Sequence, residues 1–355
     1  MRQNVMSRTK NPSRATKGES ALNDPPSPAV ARPSRTAILD GLTRVFAEEI
    51  RTKGKLRVVH RRANPRSSTY LADIVRVQFA DGSTEHLLCK YAHGVELPRF
   101  SPHRGVAYEA AVYEQLSLQS PAAIPRYWGS FIDQDTGDFA LVMRFYPHGM
   151  SAAQALDHGG PTALIHWMAA FHNWGQPHVA APAWGFLTRY DADYYLHWLD
   201  VTCDLARPLA SEYPWLDQAA AAYRERIPLL ASRGATIIHG ELTARNSLWA
   251  DGHIMPIDWE TAAAGPAEVD LAVFTFDWDL DDVRALEKSY VQMRWQGSPP
   301  ADFGETMLAA RLYVCFHWIF SNPDSRDVVR VRNHLETVQC EAARWGIIPT
   351  RYLIP

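Results

Sequence analysis

The chain has 355 residues, 46% of them hydrophobic and including 12 Trp, 14 Tyr and 13 Phe, which is enough for two lobes around a substantial core. Its net charge of −3 is unevenly placed: residues 1–149 carry 21 Lys and Arg against 14 Asp and Glu (+7), residues 150–355 carry 15 against 25 (−10), and no concentrated basic, aromatic-studded face suggests a nucleic-acid partner. No apolar run reaches the roughly 20 residues of a membrane span, and four scattered cysteines without a CxxC pair exclude a zinc or disulfide framework and suit a cytoplasmic setting.

Residues 1–36 are rich in Ser, Pro, Arg and Lys without apolar periodicity and read as a disordered tail. From 37 to 53, Ile38, Leu42, Val45, Phe46 and Ile50 recur at helical spacing. Extended segments follow at 56–61, 70–79 and 85–91, with Asp81-Gly82 marking the turn between the last two. The polar link between the first two contains Ser67 and Ser68, whose amides and hydroxyls suit phosphates, though the link has no glycine.

Lys90 ends the third strand, where a lysine is ordinarily an edge residue that snorkels to solvent. The helix expected over 104–116 alters that reading, because Glu109, Val112, Tyr113 and Leu116 share one stripe. An inward-facing acid needs a cation, and Lys90 is the nearest candidate in chain order; a solvated Glu109 at the lobe edge is the alternative. Two more strands are expected at 124–132 and 139–145, after which the sequence from Met143 through Phe145 to Gly149 leaves the sheet through Pro147. The boundary between an N-lobe (37–145) and a C-lobe (146–355) is placed there. Beyond it the periodicity turns helical, at 162–173, 192–209, 216–231, 281–295, 305–321 and 327–345.

One extended stretch interrupts those helices, residues 236–260. Asp251-Gly252 between two apolar runs marks a tight hairpin. Such a hairpin draws Glu241 and Asn246, before its first strand, towards Asp258, after its second. Two carboxylates and an amide oxygen make a site of the kind that Mg²⁺ takes up beside substrate phosphates.

His239-Gly-Glu-Leu-Thr-Ala-Arg-Asn246 resembles the H-G-D-x-x-x-x-N loop of the aminoglycoside phosphotransferase and choline kinase-like family. Ile257-Asp-Trp-Glu260 is similar to that family's I-D-W-E, and 268–272 to its D-L-A segment. The resemblance covers about residues 37–345 and implies an α+β, bilobal, protein kinase-like fold. That fold has a small antiparallel β-sheet N-lobe and a mainly helical C-lobe. It further implies ATP and Mg²⁺ as cofactors and a small-molecule hydroxyl as acceptor. Lys90 would hold the α- and β-phosphates, oriented by Glu109, with Ser67, Ser68, Met143 and Phe145 around the nucleotide. Asn246 and Asp258 would bind the metal, and Glu241 would orient the acceptor hydroxyl. His239, its ring bonded to backbone, and Asp270 would brace the loop. Asp277, Trp278 and Asp279 are acceptor candidates, because acids interleaved with a ring suit a cationic amino sugar or amino alcohol; acids favoured at a helix start are the alternative. Glu241 departs from the family's aspartate by one methylene, so a catalytically impaired nucleotide- or metabolite-binding protein is the alternative function.

Overall fold

The computed structural model describes residues 32–67, 69–93, 100–101, 104–276, 278–318 and 328–352. The N-terminal part runs α1 (Arg35–Val45), α2 (Ala47–Lys53), β1 (Leu56–Ala63), β2 (Leu71–Phe79), β3 (Thr84–His93), α3 (Val106–Gln119), β4 (Tyr127–Ile132) and β5 (Asp138–Arg144). Its five strands form an antiparallel sheet in the order β1-β2-β3-β5-β4. The single helix expected over 37–53 is two. It starts at Arg35, capped by the Ser34 hydroxyl, which accepts from the Ala37 amide at 3.0 Å, and it breaks at Phe46, whose ring turns inward against Phe79 and Trp128.

Period-two alternation sorts the sheet's side chains between its faces. From β3, Leu87, Cys89 and Tyr91 pack under α1 with Ile38, Leu42 and Phe46 in a small outer core. The alternate residues, Leu88, Lys90 and Ala92, therefore face the other way, towards α3 and the remainder of the chain. Gly41 lets α1 lie directly on β4, since a Cβ there would stand 2.4 Å from the Phe131 ring.

The C-terminal part comprises β6 (Met150–Ser151), α4 (Gly160–His178), β7 (Thr188–Arg189), α5 (Ala192–Ala206), α6 (Leu216–Ser232), β8 (Thr236–Ile238), β9 (Ser247–Ala250), β10 (His253–Pro256), β11 (Ala263–Gly265), α7 (Glu268–Thr275), α8 (Leu280–Trp295), α9 (Phe303–His317) and α10 (Val328–Arg344). The expected hairpin is β9–β10, with both turn residues, Asp251 and Gly252, at positive φ. β6 adds to its edge, and β7, β11 and β8 form a second small sheet that the sequence did not announce. The chain is thus an antiparallel sheet joined to a mainly helical part. α3 belongs to both: its Val112, Tyr113 and Leu116 lie in one continuous core with Leu141 and Met143 of the sheet and with Trp167, Phe171 and Trp259 beyond it. Among the described residues no helix is long and apolar enough to cross a membrane.

Candidate active site

A cleft of about 850 Å³ opens between the sheet and the β6–β9–β10 floor. Ser67, Lys90, Glu109, Met143, Phe145, Asn246 and Asp258 all line it, so seven of the residues expected at the site meet in one place. Arg62, Arg66, Arg144 and Arg245 line it too, and a basic lining suits a polyphosphate.

Lys90 reaches the cleft because it sits on the inward face of β3. Its Nζ donates to Glu109 Oε2 at 2.7 Å and to Asp258 Oδ1 at 2.5 Å. Burial disfavours the ammonium, but Glu109, Asp258 and Glu260 outweigh that and raise its pKa. Glu109 is 1% exposed, and burial lifts its pKa while Lys90 offsets this only in part. Lys90 thus ties together two carboxylates, one from α3 and one from the turn after β10.

The turn that presents Asp258 is built by backbone geometry. The Ile257 amide donates to the Asn246 carbonyl at 2.8 Å, which extends the hairpin ladder by one bond and sets Asn246 beside Asp258. Asp258 itself is left-handed, at φ 70°, a strained backbone for a non-glycine residue. The Asn246 side-chain Nδ2 donates to the Glu241 carbonyl at 3.1 Å, so its amide oxygen is the atom that can serve a cation. Among the described residues no three His, Cys, Asp or Glu side chains form a metal cage. An amide oxygen and a carboxylate side by side nonetheless fit Mg²⁺, which keeps waters and phosphate oxygens in most of its shell.

The loop from His239 to Asn246 is braced from beneath. Asp270, fully buried in the first turn of α7, accepts from the His239 and Gly240 amides, both at 2.8 Å, and from His172 Nε2 at 3.1 Å. His239 Nε2 donates to the Ile257 carbonyl at 2.9 Å, and its Nδ1 accepts from the Glu241 amide at 3.3 Å. Burial lowers its pKa and keeps this neutral tautomer. Gly240, at φ 83°, has no room for a Cβ, which would stand 2.3 Å from the Thr261 carbonyl oxygen.

Glu241 is half-buried and is not among the residues that line the cleft. Trp278 and Asp279 are not brought to the cleft. Trp278 packs on Phe274 and its carbonyl accepts from Arg344, while Asp279 is exposed at the start of α8. Ser68 and Asp277 lie outside the described residues. Sequence reasoning missed Tyr70, Arg245 and Glu260. The last two stand inside the quoted motifs, whereas Tyr70 carries no signal beyond ending the polar loop.

The profile of the phosphotransferase enzyme family (APH) matches residues 62–302. No curated protein matches the chain. Solved structures do, among them the GDP and kanamycin complex of APH(2″)-IIIa (TM-score 0.61, 14% identity, covering 84% of this chain and 98% of that one). The gentamicin complex of APH(2″)-IIa is similar at TM-score 0.57 (10% identity, 88% and 98% covered). A choline kinase from Cryptosporidium parvum Iowa II is similar at 0.53 (14% identity, 87% and 98% covered). At such identities the likeness concerns the fold; the family profile, the cleft and its loop carry the rest. The chain belongs to the phosphotransferase enzyme family.

Proposed function

We propose that this chain is an ATP- and Mg²⁺-dependent O-phosphotransferase that moves the γ-phosphate to a hydroxyl of a small molecule. The observation that carries the proposal is the Lys90–Glu109–Asp258 cluster, with Asn246 beside Asp258, in one cleft. Phosphoryl transfer asks the protein for position and for charge opposite the phosphate oxygens, and for little covalent chemistry. Lys90, held upright by Glu109, supplies a fixed positive charge for the phosphates, and the surrounding arginines extend it. Asn246 and Asp258 would hold Mg²⁺, which when bound neutralises phosphate charge. Glu241 orients the acceptor hydroxyl and receives its proton late, since an ordinary carboxylate is a weak base for an alcohol.

For the acceptor we favour a cationic amino sugar or amino alcohol. Support comes from the charge of −10 over residues 150–355, and from similar solved structures that are a gentamicin complex, a kanamycin complex and a choline kinase. The test incubates the protein with γ-labelled ATP, Mg²⁺ and a library of hydroxylated metabolites, with Asp258→Asn as control. Label is expected on a cationic metabolite and absent with the variant. Tight ATP binding without transfer would support the impaired alternative that Glu241 raises, and stronger calorimetric binding of anionic acceptors would overturn the substrate class.

A further inference from the structure

Glu109 must stand within reach of Lys90, yet it is carried by the first turn of α3, the end of a helix whose amides lack intrahelical partners. Gly105, at the N-cap, offers no side chain to secure that turn. The neighbouring residue does so instead. The Tyr108 hydroxyl donates to the Ala262 carbonyl at 2.6 Å and accepts from the Thr188 amide at 3.1 Å. Its ring meets Phe186 edge-on, with the centroids 5.5 Å apart.

Both partners are fixed in their turn. Thr188 of β7 pairs with Ala263 of β11, which pairs on its other side with Ile238 of β8. The Ala262 amide donates to the Trp259 carbonyl at 3.1 Å, and the Thr261 hydroxyl to the His239 carbonyl at 2.9 Å. Ala262 stands four residues after Asp258 in the chain. Glu109 reaches Asp258 through Lys90 while Tyr108 holds Ala262, so α3 grips one short segment at two points. With a single grip, the turn could rotate about it and draw Glu109 away from Lys90; a second grip removes that freedom.

We propose, on the reading of the cleft as the nucleotide site, that Tyr108 is a positioning residue for phosphoryl transfer: it fastens the first turn of α3 to the segment after Asp258 and so presets Glu109 and Lys90 for the donor phosphates. A lysine placed in advance spares the nucleotide the entropy of ordering it on binding. Tyr108→Phe keeps the ring against Phe186 and removes both bonds, leaving the Ala262 carbonyl and the Thr188 amide unmatched. It should weaken MgADP binding about tenfold, the scale of one unsatisfied buried polar group. Because Tyr108 acts through Glu109, the same substitution made in a Glu109→Gln background should weaken MgADP binding no further.

Calorimetry with MgADP on the full chain, well below the thermal midpoint of every variant, measures these affinities. Acylation of Lys90 by an activated ester without nucleotide, followed by mass spectrometry, is the second readout, and it should quicken in Tyr108→Phe as the amine comes loose from its carboxylates. Tyr194→Phe is the matched control: it removes another buried phenol, 3.3 Å from the Tyr313 hydroxyl, and should change neither affinity nor labelling. Unchanged MgADP binding or unchanged Lys90 labelling in Tyr108→Phe would overturn the assignment. So would additive losses in the double variant, or equal losses in Tyr194→Phe. Failure of the unaltered protein to bind MgADP would instead overturn the nucleotide reading, and the labelling of Lys90 would then decide by itself whether Tyr108 positions it.

Discussion

Glu241 is where this chain departs from its family's pattern, and the structure shows what its backbone does. Its amide is held by His239 and its carbonyl by Asn246, so only the side chain is left to define reach. The added methylene brings another torsion, and a displacement of about 1 Å at a reacting group can cost roughly 100-fold in rate. An active enzyme must therefore seat its acceptor correspondingly further from the loop. Glu241→Gln keeps the size and removes the charge. It should lower kcat by roughly 100-fold or more, the range for a positioned proton acceptor, with nucleotide affinity unchanged. Steady-state kinetics beside nucleotide calorimetry checks both halves. Lys90 and Glu109 were legible in the sequence because burying an acid demands a cation. Tyr70 was not, because a tyrosine that ends a polar loop carries no local pattern that would place it in the cleft it lines.

Among the elements, the loop 239–246 depends most on support from outside itself. Asp270 satisfies two successive amides that no helix or strand could pair, and His172 is oriented against the same carboxylate. In Asp270→Asn the amide nitrogen would face a backbone N–H, leaving one buried donor unmatched. That should cost about 2 to 3 kcal/mol in urea denaturation and depress turnover as the loop loosens. The hairpin and the helix stripe of Glu109 were readable from the sequence, since each follows a short-range rule of turn chemistry or periodicity. The small sheet of β7, β11 and β8 was not, because strands of two or three residues leave no alternation to detect. Trp278 and Asp279 lie apart from the cleft, at the start of α8. Charge and aromaticity suggest an acceptor there, and the structure places Trp278 against Phe274 with its carbonyl accepting from Arg344.

For the molecule as a whole, the buried histidines set an acid limit on stability. His172 accepts the Tyr290 hydroxyl at 2.8 Å through Nδ1, and His334 donates to the Cys315 carbonyl at 2.8 Å. Burial lowers both pKa values below the ordinary 6.5. At these two sites the unfolded chain binds protons that the folded chain refuses, so the stability they contribute is whole above pH 6.5 and falls as pH drops below it. The expected slope is about 1.4 kcal/mol per pH unit for each histidine, read from urea midpoints on either side of that pH. The two-part architecture was legible from the order of strand and helix patterns along the chain. How the parts are joined was not, because it depends on α3. The Tyr108 hydroxyl donates to the Ala262 carbonyl at 2.6 Å and accepts from the Thr188 amide at 3.1 Å. With the core running unbroken through α3, the two parts are not bodies swinging on a tether. Prising them apart would wet apolar surface that water does not now touch, an expense that grows with every ångström of opening.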